Sequence, residues 1–294
     1  MNEATAYQPE SVREERRLSI RGVDYCLYEW GNADSPLLVY LHGWGDTGAT
    51  FQFVVDALRA EWRVIAPDWR GFGRSACRCT SYWFPDYLAD LHALLEAVSP
   101  RAPVRLVGHS MGANVGALYA GTFPERVKAF VNIEGFGLPD SKPADAPSRY
   151  RAWIEAADQP LTFSKYNDFG VLAARLKKRH PGMGMAEALF VAREWGTQEA
   201  GGKVRLRADP LHKMPNPVLY RRAESEACWH AATAATLLVT GAQSSFASKL
   251  PLAGNTFETV QASTVVIEDA GHMLHFEAPA ALAAAIDDFL LPTL

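Results

Sequence analysis

Cysteine is scarce in this chain, and its spacing carries no signal. Cys26, Cys77, Cys79 and Cys228 are the four present. Cys77-x-Cys79 has no second pair at ligand spacing, so the two read as separate thiols and neither a disulfide framework nor a zinc site is expected. Long apolar runs are missing too. Nothing approaches the ~18 residues a membrane span needs, and Met1 to Arg17 is polar and charged, without a signal-peptide core. A reducing, cytosolic location and no membrane partner are the resulting expectations. Excess charge of one sign is absent: the formal net charge is −4, which gives no basic face for a nucleic acid. No Gly-x-Gly-x-x-Gly loop and no metal-spaced ligand set occur, so no cofactor and no metal are expected. What is present is an ordinary apolar content, 48% of 294 residues, enough for one large domain or a core domain with an insertion.

The rest of the chain is organised around Val104 to Tyr119. The apolar Val104 to Val107 leads into Gly108-His109-Ser110-Met111-Gly112, and a small-residue helical stretch, Ala113 to Tyr119, follows. Strand, sharp turn and helix in that order force the serine into a strained backbone conformation. Side chains at positions 108 and 112 would collide with the neighbouring strand and helix. The turn lifts the Ser110 hydroxyl out of the sheet, beside a helix N-terminus whose free N–H groups favour negative charge.

Around this centre the pattern alternates. Residues 1 to about 15 read as a loose polar tail. Arg17–Ile20 and Tyr25–Trp30 predict a hairpin around Arg21-Gly22. Pro36–Leu41 is a continuous apolar run, as in a strand buried on both faces, and ends in His42-Gly43-Trp44-Gly45. A helix is expected over Thr50–Ala60, a strand over Arg63–Ala66, and a glycine-containing loop after it. Tyr87, Leu88, Leu91, Leu94, Leu95 and Val98 form one helical stripe. Val127–Ile133 is the next strand, closed by Glu134-Gly135. Such alternation predicts an α/β fold, a mostly parallel, doubly wound sheet covered on both faces.

After Gly137 the rhythm breaks. From Leu138 to His230 no strand is expected, only helices over Arg149–Ala157, Val171–Lys178, Met185–Trp195 and Val218–Trp229, interrupted by Pro and Gly. Strands resume at Thr236–Thr240 and Thr264–Glu268, and Ala278–Leu290 closes the chain as a helix. The expected division is a core of residues 1–137 and 231–294, with 138–230 inserted as a helical cap.

A serine hydroxyl needs a base to become a nucleophile at neutral pH. Of eight histidines, His272 is the best placed, on the loop after the last apolar strand and so at the active edge of a parallel sheet. His109 lies inside the turn, where its ring should point away from Ser110. His42 should organise its own loop, and His275 reads as structural.

The four stretches His42-Gly43-Trp44-Gly45, Asp68-Trp69-Arg70-Gly71-Phe72-Gly73-Arg74-Ser75, Gly108-His109-Ser110-Met111-Gly112 and Gly271-His272-Met273-Leu274-His275-Phe276-Glu277 resemble, in order, those of an α/β-hydrolase with a helical cap. The resemblance implies Ser110 as nucleophile, His272 as base, and the backbone N–H groups of Trp44 and Met111 as oxyanion hole. Such donors lower the barrier selectively, because the oxygen is fully charged only in the tetrahedral intermediate; losing one typically costs about 10²–10³ in rate. One element departs from the family pattern. The acid usually follows the strand after the cap, yet Gly241-Ala242-Gln243-Ser244-Ser245-Phe246 holds no carboxylate. Some members, including one group of haloalkane dehalogenases, place it at the end of the strand before the cap, a place occupied here by Glu134. Dehalogenase and epoxide hydrolase chemistry is not implied, since those enzymes attack with an aspartate where Ser110 stands.

The activity this implies is serine hydrolysis of an ester, thioester, lactone or related acyl compound of small size, through an acyl-enzyme. Amide or carbon–carbon bond hydrolysis, perhydrolysis, and a receptor-like role with little turnover use the same site and stay open. Trp44, Met111, Phe136, Phe246 and Met273 are the expected apolar walls.

Overall fold

The computed structural model describes residues 6–245 and 262–294. The chain begins with β1 (Arg13–Ile20), β2 (Val23–Trp30) and β3 (Leu37–Leu41), followed by α1 (Gln52–Val55) and β4 (Arg63–Pro67). Next come α2 (Phe84–Val98), β5 (Val104–His109), α3 (Met111–Thr122) and β6 (Val127–Ile133). The stretch before the sheet resumes holds α4 (Ala146–Ala157), α5 (Phe169–Arg179), α6 (Met185–Trp195), β7 (Gly196–Gln198), β8 (Val204–Leu206) and α7 (Arg222–Ala231). β9 (Ala235–Gly241), β10 (Ala262–Ile267), α8 (Leu274–Glu277) and α9 (Pro279–Leu290) complete it.

Eight strands form one sheet in the order β1-β2-β4-β3-β5-β6-β9-β10. β1 and β2 pair antiparallel, as do β2 and β4; every other neighbour is parallel. Period-2 alternation builds the two faces. Leu38 and Tyr40 of β3 and Val131 and Ile133 of β6 point to a cluster completed by Leu282 and Ile286 of α9. Val39, Leu41 and Phe130 point the other way, to Leu91 and Leu94 of α2 and Val115 of α3. Because β3 pairs with β4 on one side and β5 on the other, the crossovers diverge there. The crevice at the carboxyl ends of the strands therefore opens at β3 and β5.

Four details differ from the sequence expectations. β7 and β8 pair antiparallel in the stretch read as free of strands; at three residues each they are too short to display a period. The helix expected over Thr50–Ala60 ends at Val55, as Arg59 turns its N–H to Asp287 Oδ2 at 2.7 Å. The tail is anchored: Asp56 accepts from Tyr7 Oη at 2.8 Å and from the Ser11 N–H at 2.7 Å. Cys77 and Cys79 form a disulfide with Cα atoms 5.3 Å apart. Two residues of extended chain would separate these Cα atoms by about 6.6 Å, so the loop bends to bring the thiols together, and spacing alone no longer argues for a reducing compartment.

Between β6 and β9 the helices do not form one layer. α5 and α6 build a separate cluster from Leu172, Leu176, Val191 and Ala192, closed by Phe53 and Phe276. α7 packs instead on α3: a Cβ at Gly121 would sit 1.7 Å from the Cys228 carbonyl oxygen, and Trp229 joins the core cluster beneath α3. No helix among the described residues is long and apolar enough to cross a membrane.

His212 is stacked between Phe72 and Tyr82, at ring separations of 3.8 and 3.6 Å. Burial pushes its pKa down to about 4. A histidine held neutral in the fold stabilises fully above its ordinary pKa of 6.5. That stability is lost as pH falls toward 4, because the unfolded chain takes up the proton first. At about 1.4 kcal/mol per unit, up to about 3 kcal/mol is at stake. His42, lowered to about 4 by burial, acts in the same window. Denaturant titrations at pH 7 and pH 4.5 should therefore give a shallower acid loss in His212→Phe than in the parent; an unchanged slope would refute the assignment.

Candidate active site

Ser110 sits at φ 51° and ψ −112°, immediately before α3. A non-glycine residue held there stores about 1–3 kcal/mol of strain, which the surroundings must offset. Its N–H donates to the Ile133 carbonyl at 2.8 Å, tying the turn to β6. Glycine is required on both sides: a Cβ at Gly108 would lie 2.6 Å from Ala113 Cα, and one at Gly112 would lie 2.1 Å from the Leu41 carbonyl oxygen.

Three side chains that are far apart in sequence meet at this edge of the sheet. His272 Nε2 lies 3.1 Å from Ser110 Oγ, and its Nδ1 lies 3.0 Å from Glu134 Oε2. Glu134 follows β6 at φ 56° and donates its N–H to the Val239 carbonyl of β9 at 3.0 Å. Its side chain is buried, yet its carboxylate is well supplied with donors. Oε1 accepts from the Gly241 N–H at 2.9 Å, and Oε2 accepts from Ser244 Oγ at 2.5 Å. The stretch 241–244 at the end of β9, which has no carboxylate of its own, thus supplies two donors to the carboxylate that arrives from β6. An acceptor held by two donors and facing Nδ1–H leaves Nε2 as the basic nitrogen toward Ser110.

The His272 loop is clamped from both sides. His109 Nε2 donates to the His272 carbonyl at 2.8 Å. The Gly271 N–H donates to Glu277 Oε2 at 2.7 Å, while Glu277 Oε1 binds His180 Nδ1 at 2.9 Å. Burial works against the Glu277 charge, but these two donors hold its pKa below the ordinary value. Burial, the largest cause, keeps His109 far below its usual pKa and so neutral.

The loop after β3 is held by His42, whose Nδ1 donates to the Gly43 carbonyl at 2.7 Å and whose Nε2 accepts the Trp69 N–H at 2.8 Å. Gly43 lets the loop approach closely, since a Cβ there would meet His109 Nδ1 at 2.8 Å and Ser110 Cβ at 3.3 Å. Among the described residues no acceptor engages the backbone N–H of Trp44 or of Met111. His275 lies behind this loop, its Nε2 2.9 Å from Asp46 Oδ2. Asp46, His109 and His275 place possible metal-ligand atoms within 4.8 Å of one another. The Asp46 carboxylate is already taken by His275, Thr50 Oγ1 and Trp195 Nε1, and the His109 Nε2–H by the His272 carbonyl. Most of this set is therefore committed to hydrogen bonds that brace the loop.

A cavity of about 620 Å³ opens over Ser110 and His272. Of the expected walls, Trp44 and Met273 line it. Met111 packs instead toward the core under α3, Phe136 is buried outside the cavity, and Phe246 lies outside the described residues. Arg207 lies in no motif of the sequence; Ser244 and Glu277 fall within quoted stretches, but their bonds to Glu134 and His180 span 110 and 97 residues and leave no local signal.

A sequence model of the alpha/beta hydrolase fold matches residues 36–279, and the chain belongs to that family. Among its relatives, a "Serine hydrolase-like protein" of Danio rerio is 26% identical over 284 residues, covering 90% of this chain and 84% of that one. The 2-(acetamidomethylene)succinate hydrolase of Mesorhizobium japonicum is 27% identical over 275 residues and 94% of both chains. Among solved structures, the thioesterase domain from the curacin biosynthetic pathway superposes with a TM-score of 0.84 at 26% identity, covering 94% of this chain and 99% of that one. Proteins named as hydrolases of different compounds are thus similar to this chain along most of its length.

Proposed function

We propose that the chain is a serine hydrolase that cleaves a small ester, thioester, lactone or related acyl substrate through an acyl-enzyme. The observation that carries this reading is His272 bridging Ser110 Oγ and Glu134 Oε2, at 3.1 and 3.0 Å on its two ring nitrogens. Ser110 Oγ forms the bond to the acyl carbon as its proton passes to His272 Nε2. The carbonyl oxygen, now an oxyanion, takes the N–H groups of Trp44 and Met111. Collapse expels the leaving group, which takes the proton back from His272. Water, deprotonated by the same nitrogen, then releases the acid and restores Ser110. Glu134 holds the ring in the productive tautomer and stabilises the imidazolium. Residues 138–230 include the cap of this site: α5, which lines the cavity from above with Leu172 and Leu176, selects the substrate.

The test is direct. A fluorophosphonate probe is expected to label the protein once, at Ser110, and Ser110→Ala to abolish the label. Repeated turnover of an activated ester separates an enzyme from a receptor that only binds. Labelling that survives the substitution, or maps to Ser75 or Ser244, would overturn the assignment.

A further inference from the structure

The walls of the cavity over Ser110 carry more positive charge than their own acids neutralise. Leu172, Arg175, Leu176 and Arg179 follow one another at helical spacing and form one face of α5 along the cavity, and Arg207 lines it after β8. Among the described residues no carboxylate oxygen lies within 4.0 Å of these three guanidinium groups. The acids on the same walls are already engaged: Glu277 by His180 and Gly271, Asp46 by His275, Thr50 and Trp195. Arg207 is the most telling of the three. It is half-buried, and its Nε donates to the neutral Gly196 carbonyl at 2.8 Å. Burial, with Arg74 nearby, pulls its pKa below the ordinary value even though Glu194 and Asp68 oppose the shift, a cost that a further anion would relieve. Arg175 has only the Tyr166 ring, 6.0 Å from its guanidinium carbon. A helix C-terminus attracts cations and accounts for Arg179, but not for Arg175 a turn earlier or for Arg207 off the helix.

We propose that this cavity selects acyl substrates that carry an anionic group, a carboxylate or a phosphate, held by Arg207 with Arg175 and Arg179. The inference rests on the serine-hydrolase reading of the same site. Guanidinium groups take both anions through paired N–H donors, so the group can lie on the acyl chain or on the leaving group.

Two matched pairs of substrates test it. The 4-nitrophenyl monoester of adipic acid is compared with 4-nitrophenyl hexanoate, of equal chain length, for an acyl-side carboxylate. Butyryl-coenzyme A is compared with butyryl-N-acetylcysteamine for a leaving-group phosphate. In at least one pair the anionic member should show a kcat/KM higher by about 10- to 100-fold, the range of one or two charge-assisted hydrogen bonds. That ratio should fall toward one in Arg207→Gln, and fall in part in Arg175→Gln/Arg179→Gln, whose side chains are exposed and whose one ring contact is that of Arg175 with Tyr166. A ratio near one in both pairs, with Ser110 still labelled by the neutral fluorophosphonate, overturns the inference and leaves the serine-hydrolase reading intact. Ratios that survive all three arginine changes overturn it equally. Absence of labelling at Ser110 removes the reading and the inference together.

Discussion

Ser110→Ala is expected to lower kcat on an activated ester by about 10⁶, and His272→Ala by a similar factor. The two changes together should cost little more than either alone, because the residues act as one unit: without the base the hydroxyl is not activated, and without the hydroxyl the base has nothing to activate. Residual catalysis of about 10³–10⁴ over water should remain, supplied by the oxyanion donors and by binding. The measurement is steady-state turnover of purified variants, with thermal unfolding as a control. Removing Ser110 also releases little of the fold's stability, since the strained backbone at φ 51° is held by the Ile133 carbonyl and by the glycines either side. A loss of less than about tenfold in either single variant would refute the roles assigned to them.

Glu134→Gln is the second large effect, and its cause is hydrogen-bond direction more than charge. The carboxylate accepts three times, from the Gly241 N–H, from Ser244 Oγ and from His272 Nδ1. A glutamine has one accepting oxygen and one donating nitrogen. With its oxygen kept on Gly241, its NH₂ faces Ser244 and Nδ1. The Ser244 hydroxyl can turn round and accept, but Nδ1 can accept only by giving up its proton. The imidazole then carries its proton on Nε2, facing Ser110, in the tautomer that cannot take the hydroxyl proton. A loss of up to about 10⁴ in kcat with the fold preserved is expected. Ser244→Ala should cost far less, because it removes a donor without reversing the tautomer. Near-normal turnover in Glu134→Gln would show that this carboxylate does not orient the base.

How much of this was legible beforehand follows from the range over which each feature is encoded. Ser110 and its strand–turn–helix context lie within about a dozen residues, and the glycines that make the turn possible sit at fixed offsets from it. The parallel sheet was legible because its strands are continuous apolar runs, a consequence of burial on both faces. The antiparallel edge at β1 and β2 showed through a turn signal between two short strands. By contrast, β7 and β8 were invisible, since three residues cannot display a period, and the pairing of Cys77 with Cys79 was decided by how their loop bends.

What the amino-acid sequence determined by itself was therefore the local chemistry: a serine at a strained turn, histidines at loop ends, and a stretch 241–246 at the end of β9 with no acid in it. Only the tertiary structure decided how that gap is filled. β6 lies between β5 and β9 in the sheet, so Glu134 emerges between Ser110 and the Gly241–Ser244 loop and takes donors from it. The same holds for Arg207, whose place on the cavity wall depends on the hairpin β7–β8 before it and on its backbone bonds to Trp195 and Gly73. Local motifs are written in short-range spacing, whereas the partners of a buried charge are set by which strands become neighbours, and hydrogen bonds spanning 107 to 138 residues leave no periodic trace in the chain.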